Sequence, residues 1–271
     1  MKPLFRRVNR LWRAAMTGCC FALFGMGGLL LSVVWFNLLL VAVRDKTRRR
    51  RLARRSISAS FRCFLTVVKS VGVLDYRIDG GDILRQEHGC LIVANHPSLI
   101  DYVMLASVMP EVDCLVKSSL LKNPFVSGVI RAADYLINDQ ADVLLPASRQ
   151  RLQQGDSLLI FPEGTRTVPG EKMQLQRGAA NIAVRCGSDL RIVVIRCTEH
   201  MLGKQSKWYD APPTKPRFTV TVGERLRIDQ FYDATRQEPA LAARQLNRHI
   251  LLKLQSGTTP ETGINDGSAL S

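Results

Sequence analysis

The alternation of apolar and polar positions divides the chain into two unlike parts. Residues 14–43, AAMTGCCFALFGMGGLLLSVVWFNLLLVAV, run thirty positions without a charged side chain. About 20 apolar residues cross a bilayer core as a helix, so this stretch is long enough to insert. A buried globular helix rarely runs so far without a polar face, and a cleaved leader would be shorter and end at small residues. The GMGG cluster, Gly25–Gly28, allows a second geometry, a helical hairpin that dips into the bilayer and returns. The following segment, SISASFRCFLTVVKSVGVL (56–74), has the amphipathic spacing of a helix suited to lying along a membrane.

Beyond it, strand-length apolar runs alternate with helical patterns. LIVAN (91–95), DCLVK (113–117), DYLI (134–137), SLLIF (157–161), LRIVVIRC (190–197) and RFTVTVG (217–223) predict strands. Helices are expected over 97–109, 142–154, 176–186 and 235–255. This order predicts an α/β fold, a mostly parallel sheet flanked by helices, with an N-terminal membrane-inserted helix or helical hairpin. The expected organisation is a membrane anchor with basic flanks over 1–55, one domain over 56–255, and a polar, disordered tail over 256–271.

A formal net charge of +15 invites a nucleic-acid partner, but its distribution points elsewhere. Residues 1–55 carry thirteen Lys and Arg against one acid, Asp45, whereas the remaining 216 residues hold 25 basic and 22 acidic side chains. A run such as TRRRRLARR (47–55) beside an apolar span reads as a topology or headgroup signal, so no nucleic-acid partner is expected. The seven cysteines are odd in number and form no C-x-x-C pair, which fits a reduced cytoplasmic setting. With no H-E-x-x-H and no two neighbouring histidines, a metal site is not expected.

Two strand ends carry candidate chemistry. LIVAN delivers His96 beyond the carboxyl end of a strand, where α/β sheets gather their ligand groups, and Pro97 suits the first position of a helix. Residues five apart on one regular helix point about 140° apart, so Asp101 reaches His96 only if the histidine precedes the helix. The carboxylate would then fix the imidazole tautomer and favour its protonated form. Taken alone, His96 reads equally well as a base or as a hydrogen-bonded structural residue. Ser98 lies close by, but no G-x-S-x-G elbow surrounds it to mark a hydrolase nucleophile. The second strand end, LLIFPEGTRT (158–167), carries Glu163, Gly164 and Arg166. Gly164 permits an unusual turn or close backbone approach, Arg166 offers a planar donor fork for phosphate or carboxylate, and Glu163 can accept from hydroxyls. The plainer alternative is a surface Glu–Arg pair.

Together NHPSLID and FPEGTR, 67 residues apart from His96 to Glu163, resemble the glycerolipid acyltransferases, the lysophospholipid acyltransferase family typified by bacterial 1-acylglycerol-3-phosphate acyltransferase. The likeness covers roughly residues 70–225. It implies that His96 takes the proton from an acceptor hydroxyl, that Asp101 orients it, and that Glu163, Gly164 and Arg166 bind the acceptor's polar head. Lys117, in VKSSLLKNPFVSG (116–128), resembles the family's phosphate-binding lysine, and LQRGAANIA (175–183) is similar to its next, glycine-containing block. By the same resemblance the donor is acyl-CoA or acyl-carrier protein, no cofactor or metal takes part, and no acyl-enzyme forms. The acceptor would be a membrane lyso-lipid, by default lysophosphatidic acid, and the setting a bacterial inner membrane with the catalytic domain cytoplasmic.

The chain departs from the family pattern at two places. AADYLIND (132–139) puts Asn138 and Asp139 where the family has Asp and a phosphate-contacting Arg, and RIVVIR (191–196) lacks the usual proline. An acid at 139 would repel a phosphomonoester, which brings in an amino-acid lipid, glycolipid or polyene lipid as acceptor. A membrane protein that binds lipid without catalysis is the alternative, against which the intact His96, Asp101, Glu163 and Arg166 argue. His88, His200 and His249 have no comparable partner pattern.

Overall fold

The computed structural model of the protein describes residues 2–138, 141–168, 170–234 and 238–258. The apolar N-terminal run forms one long rod: α1 (Lys2–Leu30), a π-helical turn (Leu31–Trp35) and α2 (Phe36–Ala42). Gly25–Gly28 lies inside α1, so the hairpin expected at GMGG does not form there. The chain turns at 43–45, where the charges begin, and returns as α3 (Lys46–Ser70). Asp45 caps α3, its carboxylate accepting from the Arg48 N–H at 2.6 Å.

Helix α3 begins ten residues before the predicted 56–74 helix and absorbs the arginine run. Its buried stripe, Arg50, Ala53, Arg54, Ile57, Ser58, Leu65 and Val68, faces the body of the protein instead of a membrane. Arg54 Nη2 lies 2.6 Å from Asp113 Oδ2 and Nη1 lies 3.3 Å from Asp156 Oδ2, while Arg50 Nη2 lies 3.0 Å from Asp156. Arg54 also donates to the carbonyls of Ala133 and Glu111. Burial pushes the Asp113 carboxyl up to about 6, against the pull of Arg54. The headgroup reading of this run therefore fails for Arg50 and Arg54, which hold the returning helix to the body.

The body contains β1 (Asp75–Asp79), α4 (Gly81–Gln86), β2 (Leu91–Ala94), α5 (Asp101–Val108), β3 (Asp113–Val116), α6 (Pro124–Ala133), β4 (Leu136–Ile137), α7 (Ala141–Gln153), β5 (Leu158–Ile160), α8 (Gly178–Cys186), β6 (Leu190–Cys197), β7 (Arg217–Leu226) and α9 (Pro239–Thr258). Among the described residues the sheet has seven strands, in the order β1-β7-β6-β2-β5-β3-β4. Every adjacent pair is parallel except β6–β7. The expected mostly parallel architecture is present, with β1, α4 and α6 added. The last helix runs to Thr258, and both Asp139 and residues 259–271 lie outside the described residues.

All four residues of β2 are buried, as suits the middle of such a sheet. Their side chains alternate between faces. Ile92 and Ala94 pack with Leu65, Val68, Met104 and Leu105 from α3 and α5. Leu91 and Val93 pack with Ile182 and Leu246 from α8 and α9.

The N-terminal rod is held to the body along most of its length. Near its start, Arg10 Nε donates to Ala211 O at 2.8 Å, and Arg13 Nη2 donates to Pro212 O at 2.6 Å. In the middle α1 and α6 cross closely: a Cβ on Gly28 would meet Phe125 O at 2.7 Å. Further on, Phe36 and Leu39 bury against Ile57, Ile130 and Tyr135. The opposite side of the rod leaves Leu11, Met26, Leu30, Val33 and Val41 exposed.

Candidate active site

Strand β2 ends because Asn95 takes over its pairing. The Asn95 side chain donates to Ile195 O at 2.8 Å and accepts from the Ile195 N–H at 2.6 Å, replacing a pair of ladder bonds to β6. The backbone is thereby free to leave the sheet, and His96 emerges at the strand's carboxyl end. It precedes α5, and Asp101 is the first residue of that helix. The two side chains meet, with His96 Nδ1 2.9 Å from Asp101 Oδ2.

Asp101 is completely buried. Its carboxylate also accepts from the Ser98 N–H at 2.7 Å and from the Ser98 hydroxyl at 2.5 Å. Burial pushes the Asp101 carboxyl up, while the His96 and Ser98 donors pull it back toward the ionised form. Ser98 thus serves the carboxylate, a role its sequence position did not disclose. A carboxylate at Nδ1 places the imidazole proton there and leaves the Nε2 lone pair to act as a base. The ring plane is set by stacking on Phe161, at a centroid distance of 4.3 Å and an angle of 24°.

The FPEGTR turn closes around the same histidine. Gly164 has φ +67°, the left-handed region where a side chain is strained. Glu163 is buried, and its Oε1 accepts from the His96 main-chain N–H at 2.6 Å. Burial pushes the Glu163 carboxyl up, against that donor. Arg166 Nη1 donates to Leu202 O at 2.8 Å and Gly203 O at 2.9 Å, fastening the loop that follows β6. Glu163 and Arg166 therefore have separate partners and do not form the simple surface pair. Lys117 follows β3 and is exposed at the start of a 3-10 turn (Ser118–Lys122).

His96, Lys117, Gly164 and Arg166 line one cavity of about 860 Å³. Asn138 and Gln176 add polar groups to its wall. The rest is largely apolar, built from α1, α3, α5 and α6 by side chains such as Phe24, Phe61, Val103 and Ile130. Asp101 and Glu163 stand behind this wall. Among the described residues, no group of three or more His, Cys, Asp or Glu is placed to hold a metal ion.

The site thus sets a buried carboxylate behind a cavity-lining histidine at the carboxyl edge of a mostly parallel sheet. Residues 75–198 match the family model described as Acyltransferase. Over 158 residues the chain is 31% identical to the 1-acyl-sn-glycerol-3-phosphate acyltransferase of Helicobacter pylori (strain J99), covering 56% of this chain and 64% of that protein. The Pseudomonas aeruginosa protein of the same name is 29% identical over 150 residues, 53% of this chain and 56% of its own length. The chain thus spans between about half and about two-thirds of these curated relatives. The fold is that of the 1-acyl-sn-glycerophosphate (LPA) acyltransferase PlsC from Thermotoga maritima, with a TM-score of 0.68 at 19% identity, covering 92% of this chain and 97% of that one.

Proposed function

We propose that the protein is a membrane-associated O-acyltransferase that moves a fatty acyl group from an acyl-CoA or acyl-carrier-protein thioester to the hydroxyl of a lyso-lipid. The observation that carries this reading is the His96–Asp101 pair at 2.9 Å on the wall of a large, mostly apolar cavity. As the hydroxyl oxygen attacks the thioester carbonyl, His96 Nε2 takes its proton, and Asp101 stabilises the imidazolium that forms. The C–S bond then breaks, and the imidazolium returns the proton to the leaving thiolate. The products are an ester and a free thiol, and the apolar wall accommodates acyl chain. Lysophosphatidic acid is the acceptor suggested by the relatives' names, with Lys117 and Arg166 as the cations nearest its phosphate.

The rod of α1 and α2 supports a lipid-surface setting. The segment Arg7–Ala42 has a mean hydropathy of 2.1 in its most apolar window, of which 11% is buried within the protein. Contacts with the body run from Arg10 to Leu39, about 44 Å of helix, against a bilayer core of about 30 Å. A perpendicular crossing would drag the body's polar surface into hydrocarbon, so the rod lies in the plane of one leaflet with its exposed apolar side in the lipid. The mouth of the site would then meet lyso-lipid from the membrane and thioester from the cytoplasm of a bacterial cell.

Vesicles containing lyso-lipid test both parts. With an acyl thioester, the wild-type protein is expected to convert lysophosphatidic acid to the diacyl product seen by mass spectrometry. The Met26→Asp/Val33→Asp double variant, changed only at exposed positions, is expected to lose about 100-fold in vesicle binding and to turn over poorly on vesicles. Undiminished vesicle binding by that variant would contradict the in-plane rod. A lyso-lipid without a phosphomonoester consumed in preference would reassign the acceptor.

A further inference from the structure

We propose that Glu163 is a positioning residue, setting the His96 imidazole through the His96 main-chain N–H without touching the acceptor's polar head. The proposal rests on the acyl-transfer reading above and differs from the acceptor-binding role that the family resemblance implies. Three observations carry it. The Glu163 carboxylate accepts from the His96 N–H at 2.6 Å, a short hydrogen bond to a carboxylate oxygen. From the same turn the Thr167 N–H donates to the His96 carbonyl at 3.2 Å, so residues 163–167 hold both polar groups of the His96 backbone. Finally, Phe161, Pro162, Gly164, Thr165 and Arg166 all line the cavity, whereas Glu163, only 6% exposed, is not among its walls.

The local geometry explains why such a clamp is needed. Pairing between β2 and β5 stops at Val93 and Ile160, and Asn95 spends its side chain on β6. His96 is thus the point where the backbone leaves the sheet, with no strand neighbour to fix it. Glu163, three residues past the end of β5, supplies the missing acceptor by side chain. An error of about 1 Å in placing a catalytic group costs on the order of 100-fold in rate. The clamp also brings a second carboxyl close to the imidazole, with Asp101 on the ring and Glu163 on the main chain.

Substitutions that separate reach from charge test the proposal. In Glu163→Gln the amide oxygen still reaches the His96 N–H, so kcat is expected to stay within about fivefold of wild type. Glu163→Asp keeps the charge but is one methylene too short; its kcat is expected to fall about 100-fold with the KM for lyso-lipid within twofold. Binding of the acceptor headgroup by charge predicts the reverse order, and a rise in KM with kcat preserved in either variant would overturn the proposal. A readout independent of turnover uses histidine-selective ¹⁵N labelling. The His96 amide proton is expected far downfield in the wild type and near there in Glu163→Gln, but shifted upfield in Glu163→Asp; an unmoved resonance in Glu163→Asp would also overturn it. Absence of acyl transfer by the wild type would reject the acyl-transfer reading, while the resonance still decides the clamp.

Discussion

Replacement of His96 by alanine is expected to lower lyso-lipid-dependent thiol release by about 10²–10⁴-fold, the contribution typical of a general acid–base group. The loss should appear in kcat, because the imidazole moves a proton and does not hold either substrate's chain. Asp101→Asn should fall in the same direction. An amide at this position no longer fixes the Nδ1 proton or offsets the imidazolium charge, although it remains close to Ser98. Thermal melting of His96→Ala should stay near that of the wild type, since the ring lies on a cavity wall and not in the core. Full activity in His96→Ala would remove the residue from the mechanism.

The largest effect on stability is expected at Arg54. Arg54 is 3% exposed, and its guanidinium serves Asp113, Asp156 and two main-chain carbonyls at once. Truncation to alanine leaves Asp113 with only Arg151, at 3.4 Å, and Asp156 with only Arg50 as cations among the described residues, and loss of one member of a buried pair costs about 3–5 kcal/mol. Asp113, already lifted to about 6 by burial, would be driven further toward its neutral form. The melting temperature in detergent should drop by roughly 10 °C. Arg55, on the exposed side of the same helix and paired with Glu111, should cost less than about 1 kcal/mol when changed to alanine. Equal, small shifts for both substitutions would contradict the latch between α3 and the body.

Much of the site was legible because its chemistry is local. The five-residue step of NHPSLID lets Asp101 reach the imidazole only if His96 precedes the helix, and it does, although α5 begins at Asp101 and not at the expected Pro97. The central strands were legible because uninterrupted apolar runs mark burial on both faces. Other elements depend on partners far along the chain. DYRID forms β1 at the sheet edge, where half-burial needs only Tyr76 and Ile78 as apolar residues. PFVSGVIRAA forms α6, with Asn123 as its cap, and its glycine is explained by the close crossing with the π-helical turn of the rod: a Cβ on Gly128 would meet Ser32 at 2.5 Å. Arginine runs look alike in sequence whether they face lipid or carboxylates, and Asp113 and Asp156 are distant from α3 in the chain. Glu163 stood out as a candidate from its turn, but its contact was not legible, because its partner is a main-chain N–H that no residue type announces.

The most direct test of acyl transfer by His96 follows the donor alone and then with acceptor, by rapid quench. Mixed with an acyl thioester and no lyso-lipid, the protein is expected to release no burst of thiol. Once lyso-lipid is added, thiol and acylated lipid should appear together in a one-to-one ratio. A burst approaching one thiol per protein without acceptor would reveal an acyl-enzyme and contradict direct transfer to the lyso-lipid hydroxyl.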